Sequence, residues 1–367
     1  MIKFDPQNYP YPSKRNVVYA RNGMCNAGNP HAASAGLQTL LKGGNAVDAA
    51  IAMASAMPVG STTGNGLGAD CFVILWYEGK MYGLNASGPA PKSLSVSALK
   101  DRGFEKIPSY GVEPIDVPGA VAEEGYPVTP NISRLWQEAF ENYSKYRDRP
   151  EFQGWFDTFA PNNTWLKPGE MFRCPDMAKT LKEIAATKGE AFYRGAIAEK
   201  IDAFFKKHNG FLTKEDLAAF KPEWVDPISV NYHGVDVWEL PPNGHGITVL
   251  MALQILKDMN LAERDCADTM HKQIEAMKLA MVDTAEYVAE PSFMRVSVDQ
   301  LLSEDYAAKR RALINDKAIM PEPGDPGCPS TVYFCCADAD GNMVSFIQSN
   351  FRGFGSGIVV PGTRSEE

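Results

Sequence analysis

Apolar positions recur at helical spacing in the first sixty residues and then change to alternation. Asn29-Pro30 opens a predicted helix through residue 42, with Ala32, Ala35, Leu37 and Leu40 on its apolar positions, and Gly43-Gly44 stops it. Asn45 caps a second helix over 46–57, so rich in Ala and Met that burial on most sides is expected. Residues 16–20 read as a strand, and 71–77 with 81–84, split by Glu78-Gly79-Lys80, read as a hairpin. The stretch 108–175 is dense in Pro, aromatics and mixed charge, which predicts irregular connections around a helix over 132–146. Amphipathic helices follow over 176–220, including 197–208 and 213–220, the latter with Thr213 and Asp216 as a capping-box-like start. Strands are predicted at 228–232 and 235–239, helices at 247–259 and 269–289, and a final hairpin at 331–337 and 342–349 around the turn 338–341. Helix pairs alternating with hairpins imply helix layers packed on antiparallel sheets, an α+β fold.

Composition narrows the function classes. The chain has 367 residues, 44% hydrophobic and 22% charged, an ordinary globular balance. Its 36 Lys and Arg against 45 Asp and Glu give a net charge of −9 with no basic stripe, which argues against nucleic acid as a partner. No run approaches the roughly 18 apolar residues of a membrane span, and Met1 to Pro6 lacks a secretory core. A cytoplasmic protein without a membrane partner is therefore expected.

The seven cysteines, at 25, 71, 174, 266, 328, 335 and 336, and the five histidines form no paired ligand spacing, so no metal is expected. Cys335 and Cys336 are adjacent on a predicted strand and point to opposite faces. Gly64-Asn65-Gly66-Leu67-Gly68 follows a helix and precedes a strand, the reverse of a dinucleotide loop, and no cofactor is expected. The serine of Gly353-Phe354-Gly355-Ser356-Gly357 stands one position too late for a nucleophile elbow.

Chemistry has one prominent candidate. Ser330-Thr331 ends a Pro- and Gly-rich loop at the head of a strand, an arrangement suited to an N-terminal nucleophile. A threonine hydroxyl needs a base, and a free α-amine on the same residue, with an ordinary pKa near 7.7–8.0, can serve once the chain is cut before it. The same pair is also an ordinary turn cap followed by a β-branched strand residue, so pattern alone leaves both readings open.

Three stretches carry a resemblance. Residues 30–37 (Pro-His-Ala-Ala-Ser-Ala-Gly-Leu) with 43–50 (Gly-Gly-Asn-Ala-Val-Asp-Ala-Ala), then Pro329-Ser330-Thr331-Val332-Tyr333, and finally Asp340-Gly341-Asn342-Met343-Val344-Ser345 with Phe354-Gly355-Ser356-Gly357-Ile358-Val359, resemble the γ-glutamyltranspeptidase family in family order. The resemblance implies the αββα four-layer sandwich of N-terminal-nucleophile hydrolases, here incomplete at the C-terminal end, and self-cleavage between Ser330 and Thr331. It implies a large-subunit-like region over 1–330 and the start of a small-subunit-like region over 331–367, together one αββα domain. Thr331 matches the family nucleophile, and Ser349 matches a threonine that hydrogen-bonds it. The implied substrate is a small γ-glutamyl or acyl amide, glutathione included.

Departures from the family pattern bear on specificity and completeness. Ser87, in Asn85-Ala86-Ser87-Gly88-Pro89-Ala90-Pro91, stands where the family's substrate-carboxylate arginine is expected, so the bidentate clamp is missing. Phe351 stands where a polar substrate contact is common, and the local string is closer to the acylase-like branch. A helical stretch between residues 121 and 123 is omitted, and cutting before Thr331 leaves 37 residues. The strands over 332–337 and 342–349 are then expected to have unpaired edges through which another chain could associate. A catalytically silent relative acting as a binding or assembly partner is the alternative reading, and an acylase of different acyl specificity another.

Overall fold

The computed structural model describes residues 18–115, 126–261, 263, 265–321, 332–350 and 353–363. Its strands are β1 (Gly23–Ala27), β2 (Asp70–Tyr77), β3 (Lys80–Ala86), β4 (Tyr126–Pro127), β5 (Met171–Phe172), β6 (Glu223–Val225), β7 (Ile228–Tyr232), β8 (Val235–Glu239), β9 (Val332–Asp338) and β10 (Met343–Ser349). A six-stranded sheet has the order β1-β9-β10-β2-β3-β6, and β4-β5 and β7-β8 are two-stranded. The fold is α+β, as the alternating pattern implies.

Chain contacts group into two compact units. The first comprises Arg21–Lys80 and Leu84–Glu223 with the C-terminal strands. It holds α1 (Pro30–Leu41), α2 (Ala46–Gly60), α3 (Val96–Asp101), α4 (Pro130–Ser144), α5 (Gln153–Phe159), α6 (Pro175–Thr187), α7 (Glu190–Arg194), α8 (Ala196–Lys207) and α9 (Lys214–Ala219). The second comprises Met81–Gly83 and the stretch from Trp224, with β7, β8, α10 (Gly246–Leu256), α11 (Ala267–Tyr287), α12 (Val298–Leu301) and α13 (Glu304–Arg311). Its core is apolar, around Ile247, Met251, Ala280 and Leu301, and the buried Thr248 and Thr284 hydroxyls share a 2.7 Å hydrogen bond.

In the first unit, α1 and α2 form a layer on one face of the sheet. Ala32, Ala46, Ala49, Ala50, Met53 and Met57 pack on Phe334, Cys336 and Val344. Small residues let the helices approach closely, since a Cβ on Gly36 would lie 2.6 Å from Met53 Cγ. Both helix starts are capped as expected. Asn29 Oδ1 accepts from the His31 amide at 2.8 Å, and its Nδ2 donates 2.6 Å to the Gly60 carbonyl, tying the start of α1 to the end of α2. Asn45 and Asp48 form a capping box on α2. Helix α2 runs past Pro58 to Gly60, three residues beyond the expected stop.

The Asp-Gly-Asn turn is a structural hub. Asp338 Oδ2 accepts from the Ala46 amide (2.9 Å) and from Asn342 Nδ2 (2.9 Å), while Oδ1 accepts from the Asp340 and Asn342 amides (3.0 Å each). Asn342 Oδ1 in turn accepts from the Glu78 amide at 3.0 Å. One carboxylate thus ties the β9-β10 turn to the start of α2, and its neighbour ties it to the β2-β3 turn.

Two expectations are corrected. The first strand lies at Gly23–Ala27, whereas residues 18–20 are irregular, because the strand forms where it can pair with β9, Gly23 against Asp338 through Ala27 against Phe334. Strands β9 and β10 do not have unpaired edges: β1 covers β9 and β2 covers β10, in the register Met343↔Trp76 through Ser349↔Asp70. The edges of the sheet are β1 and β6. The stretch 108–175 forms the expected helix as α4 and adds α5 and an aromatic core of Trp136, Tyr143, Phe152, Trp155 and Phe159.

Burial alone would raise the Asp338 pKa, but hydrogen bonds from Asn342, Ala46 and Asp340 outweigh it and hold the carboxyl below its ordinary value. A depressed folded pKa contributes stability that is present above the unfolded value, near 3.9, and is lost as pH falls through the folded pKa. Asp338→Ala is expected to cost about 1–3 kcal/mol at pH 7 and much less at pH 3, read from urea unfolding at both pH values.

Candidate functional site

Strand alternation sorts β10 onto two faces. Val344 and Phe346 pack with the helix layer, and Gln348 shares their face by the two-residue period. Met343, Ser345, Ile347 and Ser349 lie on the opposite face. Ser349, the last residue of β10, is half-buried and directly opposite Asp70, the first residue of β2. The sequence reading named Ser349 and passed over Asp70, although the antiparallel partner of a site residue shares its face at about 4.5–5.5 Å between Cβ atoms.

A third residue joins this row. Glu78 and Gly79, at φ +50° and +79°, form the two-residue turn of the β2-β3 hairpin. Such a turn pairs Tyr77 with Lys80, and the count back along the strands brings Ala86 level with Cys71 and Ser87 level with Asp70. Cys71 and Ala86 are both buried in the same apolar cluster, as that pairing requires. Ser87 therefore stands at the same end of the sheet as Ser349. Its amide and Oγ donate to Asn85 Oδ1 at 3.0 and 2.8 Å, an Asx-type turn that fixes the serine against its own strand end. Ser330, Thr331 and Phe351 lie outside the described residues.

The loop before β2 forms the wall behind the row. The Asn350 amide donates to the Gly64 carbonyl at 3.4 Å and the Phe354 amide to the Thr63 carbonyl at 3.2 Å, holding residues 62–66 against the end of β10. Thr62, Asn65 and Gln348 are fully buried. Their side-chain polar atoms, and those of Asn350, have no hydrogen-bond partner among the described residues. Buried amides in this condition are costly and are concentrated at sites that bind or react. The sequence reading weighed Gly64-Asn65-Gly66-Leu67-Gly68 as a nucleotide loop and set it aside; the signal lay in the carboxamide of Asn65, which that template ignores.

Among the residues at 62–70, 85–87 and 348–350, Asp70 is the one that carries a charge. Burial, with the Asp70 carboxylate adding to it, pushes the neighbouring Cys71 thiol up to about 12, so that cysteine is a packed thiol rather than a nucleophile. No group of three His, Cys, Asp or Glu able to hold a metal occurs among the described residues.

Segment 353–360 fixes the far side. Phe354, Ile358, Val359 and Val360 are buried in the aromatic core, Phe354 at 4.8 Å from the Phe159 ring, and Tyr143 Oη donates to the Gly353 carbonyl at 2.9 Å. Gly154 leaves room for this segment, since a Cβ there would stand 2.2 Å from the Val359 carbonyl oxygen.

An α+β unit with an antiparallel sheet, a hydroxyl at the end of one inner strand and a polar, water-shielded wall beside it belongs with amide-processing hydrolases of the N-terminal-nucleophile type. The chain belongs to the γ-glutamyltranspeptidase family: that family's pattern matches residues 32–122 and 120–363. The two matches meet at residues 120–122, the point at which the sequence pattern is expected to lack a helical stretch of the family. The glutathione hydrolase-like YwrD proenzyme of Bacillus subtilis is 31% identical over 369 residues, covering 91% of this chain and 68% of the relative. The cephalosporin acylase from Bacillus halodurans is 52% identical with a TM-score of 0.92, over 100% of this chain and 72% of that one. The γ-glutamyltranspeptidase of Helicobacter pylori is 26% identical with a TM-score of 0.72, over 83% of this chain and 95% of that one. The chain thus spans about two-thirds of the length of the B. subtilis relative. No helix among the described residues is long and apolar enough to cross a membrane.

The unpartnered amide of Gln348 gives a direct test of whether this wall is kept for function. Gln348→Met preserves length and removes the buried polar atoms, so it is expected to raise stability by about 1 kcal/mol in thermal unfolding while lowering turnover. A loss of stability would show that the amide is bonded in solution.

Proposed function

We propose that the protein is a γ-glutamyltranspeptidase-like amide hydrolase or acyltransferase, activated by cleavage of its own chain before Thr331. The observation that carries the reading is the β9-β10 register, whose last pair is Gln348 with Val332. Thr331, outside the described residues, directly precedes Val332, and the reading takes it as the neighbour of Ser349, the residue after Gln348. A nucleophile there has Ser349 as its hydrogen-bonding neighbour and its own α-amine as base.

The chemistry follows from that placement. In the uncut chain the Thr331 hydroxyl attacks the preceding carbonyl, the peptide nitrogen leaves as the new α-amine, and water hydrolyses the resulting ester. In turnover the amine takes the hydroxyl proton as oxygen bonds to the substrate carbonyl carbon. That proton passes to the departing amine, leaving an acyl ester. Water completes hydrolysis; an amine in its place completes transfer.

Acyl specificity is read from Ser87. A short side chain engaged with Asn85 supplies no guanidinium for an α-carboxylate, and the 52% identical Bacillus halodurans relative is described as an acylase. The favoured substrate is thus an acyl amide lacking that carboxylate, with γ-glutamyl amides as the weaker class.

The four-layer sandwich belongs to the same proposal. The sheet face away from α1 and α2 carries Met24, Trp76, Tyr333, Met343 and Ile347, which are 37%, 38%, 52%, 52% and 39% exposed. A second sheet laid on this row would bury it, as sheet-on-sheet packing requires. The B. subtilis relative is about half as long again as this chain and has the length to supply such a layer.

Thr331→Ala is expected to abolish both cutting and turnover, whereas the parent chain is cut into two pieces, one of them beginning at Thr331; mass measurement under denaturing conditions after incubation decides. Steady-state rates on matched anilides should rank neutral acyl groups above γ-glutamyl by about tenfold or more, the loss expected when a charge-paired contact is absent. The reverse ranking overturns the Ser87 argument.

A further inference from the structure

We infer that Asp70 is a positioning residue for the reaction, acting through Ser349. The inference rests on the function proposed above and goes beyond it by assigning the one charge found among the described residues at this end of the sheet.

The geometry supplies the first leg. Asp70 and Ser349 are direct antiparallel partners, the closing pair of the β2-β10 ladder, and both side chains stand on the face away from the helix layer. Cβ atoms of such pairs are about 4.5–5.5 Å apart, which a carboxylate and a hydroxyl can span with one hydrogen bond. The second leg is polarity. A carboxylate only accepts, so a serine facing it donates its proton there and turns its lone pairs the other way. On its other side Ser349 faces the β9 strand, where the register continues toward position 331. A hydroxyl fixed in this sense accepts from the α-ammonium or hydroxyl of the nucleophile. Without the carboxylate it rotates freely between donating and accepting.

The third leg is the surroundings. Thr62, Asn65, Ser87, Gln348 and Asn350 are all neutral, so no other described side chain at this strand end offers a charge to set the direction of the hydroxyl. The length of β2 serves the same end: its first residue is the carboxylate, placed level with the last residue of β10.

With the nucleophile beside Ser349, as proposed above, the Asp70 charge also stabilises the ammonium form of its α-amine and raises its pKa. Because the amine must be neutral to act as base, removing that charge shifts the acidic limb of the pH-rate profile downward, by roughly 0.3–1 unit.

The test is a double-mutant cycle on the full-length protein with Asp70→Asn, Ser349→Ala and the pair, assayed on an acyl anilide across pH, with Thr331→Ala alongside. Asp70→Asn is expected to lower kcat by about tenfold with KM changed less than twofold and to move the acidic limb to lower pH. It should cost nothing further once Ser349 is alanine. Asp70→Glu, which keeps the charge, should leave the limb where the parent has it. Parent-like kcat and pH limb in Asp70→Asn, or losses that add fully to those of Ser349→Ala, overturn the inference. Collapse of the folded circular dichroism signal in both Asp70 variants assigns the residue to the fold alone and also overturns it. If Thr331→Ala is inactive and uncut while Asp70→Asn matches the parent, the inference falls and the nucleophile stands; if Thr331→Ala still cuts and turns over, both fall.

Discussion

The structure depends on a pairing between strands almost three hundred residues apart. Strands β9 and β10 enter between β1 and β2, and the register of that insertion fixes which side chains meet. Closing so long a loop costs entropy that grows only slowly with length, but it is a cost that local contacts do not repay. The repayment comes from the buried face, where Phe334, Cys336 and Val344 sit under the Ala- and Met-rich helices, and from Asp338, which binds the incoming turn to the start of α2. A slip of one residue would expose that apolar row and turn Ser349 into the helix layer, so the packing of one face specifies the chemistry of the other.

How much of this was legible follows from the range of the interactions. Asn29, Asn45, Thr213 and the Asp-Gly-Asn turn are local signals, each acting within a few residues, and the helices and hairpins they bound are where the pattern puts them. Ser349 was reachable because it closes a hairpin whose turn is readable. Asp70 was not, because its significance comes from pairing across the sheet with a strand 279 positions later, and nothing within its own segment marks it. The displaced first strand has the same cause: β-branched Val17 and Val18 favour extension, yet the partner strand selects Gly23–Ala27. The aromatic stretch after Pro108 defeated periodicity because its rings converge from several short helices rather than lining one face.

The site sets firmly anchored side chains beside buried ones whose polar atoms have no partner among the described residues. The anchored side chains include Asp338 in its turn and Phe354 in its aromatic pocket. Beside them, the side-chain polar atoms of buried Thr62, Asn65 and Gln348 and of half-buried Asn350 have no partner among the described residues, and Ser87 is folded back on Asn85. The first group contributes stability, and the second leaves polar atoms free for other partners.

The aromatic pocket that holds Phe354, Ile358, Val359 and Val360 has a consequence for what happens after the backbone is severed. Those side chains and the two inner strands hold residues 332–350 and 353–360 by non-covalent contacts, so the proposed cut before Thr331 would leave these residues in place. The packing that would keep such a cut local is thus already built into the uncut chain.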